Sequence, residues 1–276
     1  MEWILLVIMG LVAGTFGSLL GLGGGLIVVP ALIMLGSQFD SLAYTPPQVA
    51  AGTSLFVMIF TGISSTLSYL KQKTVDYKSA FLFFVGIAPG TVLGVIASRF
   101  VDTELFFLYF GLFMLVVVGS LFLRGNLRQG SGMSKGVTRS YIDETGERQT
   151  YGYRPSVAIS LSVFIGFVSS LFGVGGGALV VPVMIVLFGF PARTAVATSM
   201  LVIFLSAVSG SVSHLVAGHI AWLYALALIP GAWFGGQLGA WMNRKLSSAM
   251  LVHVLRVMFL LLALRFVYQG ITGSGL

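Results

Sequence analysis

A glycine cluster followed by Val-Val-Pro occurs twice in this chain, first as Gly21-Leu-Gly-Gly-Gly25 before Pro30, then as Gly173-Val-Gly-Gly-Gly177 before Pro182. Adjacent glycines weaken a helix, and a break leaves backbone N–H groups without intrahelical partners. A helix that restarts after such a break presents free donors and a partial positive charge, so it can hold an anion without a charged side chain. The candidate ligands are Gly21, Gly23, Gly24, Gly25, Gly173, Gly175, Gly176 and Gly177. Glycines also permit close helix packing, but duplication of the whole motif favours a site. A dinucleotide fingerprint does not fit, because its third glycine would fall on Leu26 and the flanks are apolar helices.

Hydroxyls come next. Thr53-Ser54 and Thr198-Ser199 open matching apolar segments, where they can donate to a bound oxyanion or bond back to the preceding helical turn. His253 and Arg256 stand three residues apart in the last helix, on one face, as a candidate proton or anion relay. His214 and His219 sit near a helix end and read as interfacial, as do Trp3, Trp222 and Trp241. The eight acids (Glu2, Asp40, Asp76, Asp102, Glu104, Asp143, Glu144 and Glu147) all fall at ends or in loops. A membrane interior without carboxylates suits an anion better than a cation. No H-E-x-x-H, Gly-x-Ser-x-Gly or P-loop lysine is present, so neither hydrolytic chemistry nor an ATPase of its own is expected. No catalytic residue, metal site or cofactor is assigned.

The elements that must position these residues are membrane helices. Of 276 residues, 57% are hydrophobic and 8% charged, with no cysteine, against about 25% charged in a soluble domain. That excludes a soluble enzyme and a disulfide framework, and the net charge of +7 reads as an orientation signal rather than a nucleic-acid surface. Apolar stretches of bilayer length are Val49–Leu70, Ala80–Ser98, Leu105–Leu123, Val196–Leu215, Trp222–Met242 and Met250–Ala263. Each half opens with a longer run, Trp3–Leu35 and Val157–Phe188, better read as two helical pieces divided at the glycines. Pro30 and Pro182 are expected to help set where the second pieces begin. A signal peptide is disfavoured, since no Lys or Arg precedes the first run. The polar stretch Arg124–Arg154 reads as a solvated linker.

The halves are repeats. Gly14–Pro30 aligns with Gly166–Pro182 without a gap, Val49–Ser54 with Thr194–Ser199, and Pro89-Gly90-xxx-Gly94-xxx-Ser98 with Pro230-Gly231-xxx-Gly235-xxx-Gly239. The four-residue spacing of the last pair predicts close-packing seams. If each opening run is a hairpin, Lys71, Lys73, Lys78, the six basic residues from Arg124 to Arg154, Arg193, Arg244 and Lys245 share one side. That is 12 against Arg99 and Arg265; a single crossing would give 10 against 4. The positive-inside rule prefers the former, which makes the repeats inverted.

The doubled Gly-x-Gly-Gly-Gly-x-x-x-x-Pro, the Thr-Ser pairs and the Pro-Gly-xxx-Gly seams resemble the TauE/SafE family, over about residues 1–124 and 155–270. The resemblance implies a secondary transporter for small sulfur-containing anions such as sulfite, sulfonates or thiosulfate. The central loop is longer than the short linker usual in that family.

The expected fold is therefore an all-α polytopic membrane protein of two homologous, inverted repeats (1–124 and 155–276) around a cytoplasmic linker (125–154). It would have about eight full transmembrane helices, with glycine-broken helices opening each half. The expected function is alternating-access transport of a small sulfur-containing anion across the cytoplasmic (inner) membrane, without nucleic acid. Partners are the anion and the lipid bilayer; coupling to H⁺ or Na⁺, direction of transport and oligomeric state stay open. The competing readings are a membrane scaffold without transport activity and an intramembrane enzyme.

Overall fold

Each apolar run ends at turn-forming residues, and the helices follow. The computed structural model describes residues 2–38, 46–97, part of 108–119, 136–142, 148–172 and 176–272. The first half contains α1 (Glu2–Leu20), α2 (Gly25–Gln38), α3 (Pro47–Lys71) and α4 (Tyr77–Ala97). A hairpin of β1 (Val137–Ile142) and β2 (Arg148–Tyr153) follows. The second half contains α5 (Pro155–Phe172), α6 (Gly177–Val186), α7 (Ala192–Val216), α8 (Trp222–Lys245) and α9 (Ser248–Thr272). The described residues between 108 and 119 are helical; the remainder of the span expected at Leu105–Leu123 lies outside the described residues.

The opening runs divide at the glycines: α1 stops at Leu20 and α2 starts at Gly25, while α5 stops at Phe172 and α6 starts at Gly177. Pro30 and Pro182 do not mark the starts of the second pieces. Both lie inside those helices, where each ring removes the N–H that would bond four residues back. The starts are set by Gly24 and Gly176, whose carbonyls accept the first intrahelical bonds.

Five helical segments, Trp3–Leu20, Gln48–Lys71, Tyr77–Ala97, Ala192–Val216 and Ser248–Tyr268, are long and apolar enough to cross a membrane, and Pro155–Leu171 is apolar but shorter. Exposed Val85 and Leu93 on α4 and Leu261 on α9 give these helices outward faces too apolar for water; α8 also exposes Leu226 and Phe234. The chain is a polytopic helical membrane protein.

Helices pair across the halves. A Cβ on Gly231, Gly235 or Gly239 of α8 would overlap the carbonyl oxygens of Val7, Leu11 and Thr15 in α1. One on Gly90 or Gly94 of α4 would overlap those of Val163 and Phe167 in α5. Contacts advancing four by four on both partners mean parallel helices whose backbones touch, the seams predicted from the spacing. Between them α3 and α7 cross antiparallel: Gly52 lies against His214, Leu55 against Gly210, and Gly62 against Phe204.

Candidate functional site

At the first break, the N–H groups of Leu22 and Gly23 fold back on the Gly17 carbonyl at 2.7 and 3.1 Å. Gly21, Gly23 and Gly24 take φ of 73, 77 and 93°, a region costly for any residue with a Cβ. The chain then restarts, and the N–H groups of Gly25 and Leu26 have no acceptor among the described residues. The second break ends at Gly176, φ 74°, after which the donors of Gly177 and Ala178 are likewise unmatched among the described residues. Gly173 and Gly175 lie outside them.

The two breaks meet. A Cβ on Gly177 would overlap the Gly21 carbonyl oxygen, and Ser199 Oγ, 2.9 Å from that oxygen and 2.8 Å from Val196 O, faces both as its acceptors. Ile203 lies against both Gly23 and Gly177, and Met58 Cε against Gly23. Ser54 is buried with its Oγ 3.9 Å from Met58 Sδ. Two residues not singled out from the sequence also face this place. Where a Cβ on Gly176 would stand, Ser169 Oγ is 3.7 Å away and Ser206 Oγ 3.8 Å away. Ser169 is buried and its hydroxyl has no partner among the described residues. Its sequence signal was its place in the duplicated segment Gly166–Pro182.

The threonines stand elsewhere. Thr198 Oγ1 accepts the backbone N–H of Asp76, the residue before α4, at 3.0 Å. Thr53 Oγ1 accepts that of Ala221, the residue before α8, at 2.9 Å. Each threonine therefore caps, from the other half, the start of a helix whose first donors need acceptors. His253 and Arg256 are not brought to the breaks. His253 lies on an exposed face of α9 with Nδ1 2.9 Å from Ala249 O, while the buried face is Leu251, Leu255, Phe259 and Ala263.

Two expectations require correction. The stretch Arg124–Arg154 is not wholly a solvated linker: its hairpin folds onto both halves. Tyr151 and Tyr153 are buried, their rings packing on Phe190 at 4.2 Å and Phe188 at 5.3 Å beyond α6, and on Phe83 of α4 at 5.7 Å. Asp76, although in a loop, is buried too. Its Oδ2 accepts from Ser79 Oγ at 2.6 Å and Tyr151 Oη at 3.1 Å, and Arg139 Nε lies 2.9 Å away. The Ser79 N–H donates to Oδ1, and Tyr153 Oη to Ser79 Oγ. Burial first, then the Asp76 charge, pushes the Tyr151 phenol above its ordinary pKa; burial does the same for Tyr153. His214, read as interfacial, is fully buried. Among the described residues no group of three or more His, Cys, Asp or Glu is placed to hold a metal ion.

Breaks lined by backbone donors and hydroxyls can coordinate a small oxyanion. Residues 6–266 match the family described as Sulfite exporter TauE/SafE. The "Probable membrane transporter protein YunE" of Bacillus subtilis is 49% identical, over 98% of this chain and 99% of the relative. A "Probable membrane transporter protein" of Methanocaldococcus jannaschii is 28% identical over 94% and 95%, and one of Haemophilus influenzae 25% identical over 96% and 94%. No solved structure gives a significant match. The relatives are named as membrane transporters, not enzymes.

Proposed function

Because this chain belongs to the TauE/SafE sulfite exporter family, we propose that it is a secondary transporter of a small sulfur-containing anion: sulfite, an organosulfonate or a thiosulfate-like species. It would act in the cytoplasmic membrane by alternating access. The observation that carries this reading is the meeting of the two glycine breaks, where Gly177 abuts the Gly21 carbonyl and each following helix begins with donors that have no acceptor among the described residues. Broken helices facing one another across repeats are a recurring solution for substrate sites in secondary transporters. We place the anion there, against Gly21, Gly23, Gly24, Gly25, Gly173, Gly175, Gly176, Gly177 and Ser199. Ser54 adjoins this place through Met58, whereas Thr53 and Thr198 cap helix starts away from it.

The antiparallel crossing of α3 and α7, together with the threonine caps exchanged between halves, supports an inverted relation of the two repeats. Some eight crossings fit that arrangement, and rocking of one bundle against the other would expose the breaks to each side in turn. The docked hairpin then lies on the side carrying Lys71, Lys73 and Lys78, which the positive-inside rule makes cytoplasmic. A scaffold would not require two helix breaks that meet in the core.

The test is flux in liposomes holding the purified protein, across sulfite, sulfonates, thiosulfate and sulfate, with and without a pH gradient. Saturable uptake of a sulfur anion is the expected result; no flux of any of them refutes transport.

A further inference from the structure

His214, in the last turn of α7, is fully buried, and neither ring nitrogen makes a hydrogen bond of good geometry among the described residues. The polar groups facing it are few. The Ser170 backbone carbonyl approaches from α5, and the His219 ring from the loop before α8 lies 5.7 Å away between centroids. From α3 the contact is the backbone at Gly52, which presents no ionisable group. No carboxylate or cation pairs with His214 among the described residues. Nearby stand further buried hydroxyls without partners there: Ser170 Oγ on α5, and Ser211 Oγ on α7 itself.

Buried polar groups in native proteins are nearly always matched, so such a cluster points to something that visits it. Its location is informative. Ser169, the neighbour of Ser170, faces the second break, as does Ser206 of α7. His214 stands eight residues beyond Ser206 on α7, about 12 Å along the helix axis. Buried hydroxyls of α5 and α7 thus stand both at the glycine break, Ser169 and Ser206, and within one helical turn of the imidazole or of its Ser170 contact. The opposite end, at Asp76, is closed by Arg139 and Tyr151; among the described residues no ion pair stands at the His214 end.

Resting on the transport reading above, we propose that His214 is the proton-carrying group of this protein, taking up one H⁺ with each anion moved. The reason is charge. An imidazolium buried without a counter-charge is costly, and so is an anion held only by dipoles. Each removes the other's cost when both are present, and linkage makes that help reciprocal. The anion therefore raises proton affinity at His214, and the proton raises anion affinity along the path. No bond other than N–H is made or broken: the neutral ring gains a proton from solution on one side and returns it on the other.

The experiment uses the full-length protein in liposomes containing a trapped pH-sensitive dye, with 2-hydroxyethanesulfonate as probe. That sulfonate stays ionised at every working pH, so any proton must move on the protein. In wild type, sulfonate entry down its own gradient should acidify the lumen, with about one H⁺ per anion, and an inward pH gradient should drive uptake. His214→Gln should lose at least nine-tenths of both the acidification and the pH-driven uptake, whatever sulfonate entry it retains. Equal proton movement in His214→Gln overturns the proposal, as does wild-type entry without acidification. Should the variant move neither, titration calorimetry of wild type in buffers of different ionisation enthalpy decides. Proton uptake on sulfonate binding supports the assignment and its absence overturns it. Wild-type protein that moves and binds no sulfur anion overturns the transport reading as well.

Discussion

Ser199 lies with its hydroxyl 2.9 Å from the carbonyl of Gly21, across a sequence separation of 178 residues. One end of that contact belongs to a helix break of the first half and the other to a long helix of the second. Motion of the first break relative to α7 must therefore pass through it.

Gly176 is the position where a side chain would fill the meeting point without a backbone collision, since the atoms nearest an added Cβ are the Ser169 and Ser206 hydroxyls and Ile87 at 3.7–3.9 Å. Its φ of 74° makes Gly176→Ala cost about 1–2 kcal/mol. Sulfonate flux should fall at least tenfold while a folded protein is still recovered, by size-exclusion profile and thermal unfolding. Normal flux would remove the anion from the second break. Gly24 serves this purpose worse, because an added Cβ there meets the Ala13 carbonyl oxygen at 2.8 Å.

The hairpin should be releasable. Asp76→Asn removes the charge that Arg139 approaches and weakens the bonds from Ser79 and Tyr151 in a buried place, a change worth about 1–3 kcal/mol. Limited proteolysis between residues 136 and 153 should then speed up several-fold, with Arg139→Gln showing a smaller effect, since Arg139 is 32% exposed and Asp76 7%. Equal protection in all three proteins would count against docking of the hairpin.

High pH should release it too. The Tyr151 and Tyr153 phenols are held above their ordinary pKa, so the docked state binds more protons than the released one in alkali. Docking free energy is therefore intact below about pH 10, the unperturbed value, and declines as pH rises above it. Phenolate absorbance should show these tyrosines ionising later than exposed ones, and Tyr151→Phe should remove one late component. Titration of every tyrosine near pH 10 would contradict the burial.

The seams tolerate no side chain. Gly90→Val and Gly235→Val place carbons into the Val163 and Leu11 carbonyl oxygens and should abolish recovery of folded protein from membranes. Gly210→Ala meets only the flexible end of Leu55, at 3.1 Å, and should cost under about 1 kcal/mol. Fluorescence-detected size exclusion of tagged variants distinguishes the two outcomes.

Because the chain has no cysteine, single cysteines report topology without background. Cysteines at Lys73 and Arg139 should react with an impermeant maleimide only from the cytoplasm, and one at Thr103 only from outside. Cytoplasmic labelling of Thr103 would reverse the orientation.

The breaks and the seams were legible because their signal is local and doubled: Gly21–Gly25 and Gly173–Gly177 declare an interruption, and glycines every fourth residue declare a packed face. The hairpin was hidden by composition, since Gly, Ser and charge between Arg124 and Arg154 resemble a linker. The alternation Tyr151-Gly-Tyr153 was its one strand-like clue. Asp76 and His214 could not have been placed from the sequence. Both are buried by residues contributed from far away, Arg139 and Tyr151 for one, Gly52 and Ser170 for the other. Thr53 and Thr198 stand out in the sequence by their hydroxyls, yet what those hydroxyls accept lies in the opposite half.

The pairing of α1 with α8 has a consequence for biogenesis. Ser18 Oγ lies 2.7 Å from its acceptor, the carbonyl of Gly236, 218 residues downstream, so the first helix reaches the bilayer long before its partner exists. At ordinary elongation rates the ribosome needs on the order of 10–40 s to make that partner. During this interval the narrow glycine face of α1 must be shielded by lipid or by the insertion machinery. Neither half can complete its own packing alone, so the two halves expressed as separate polypeptides should accumulate only when made together.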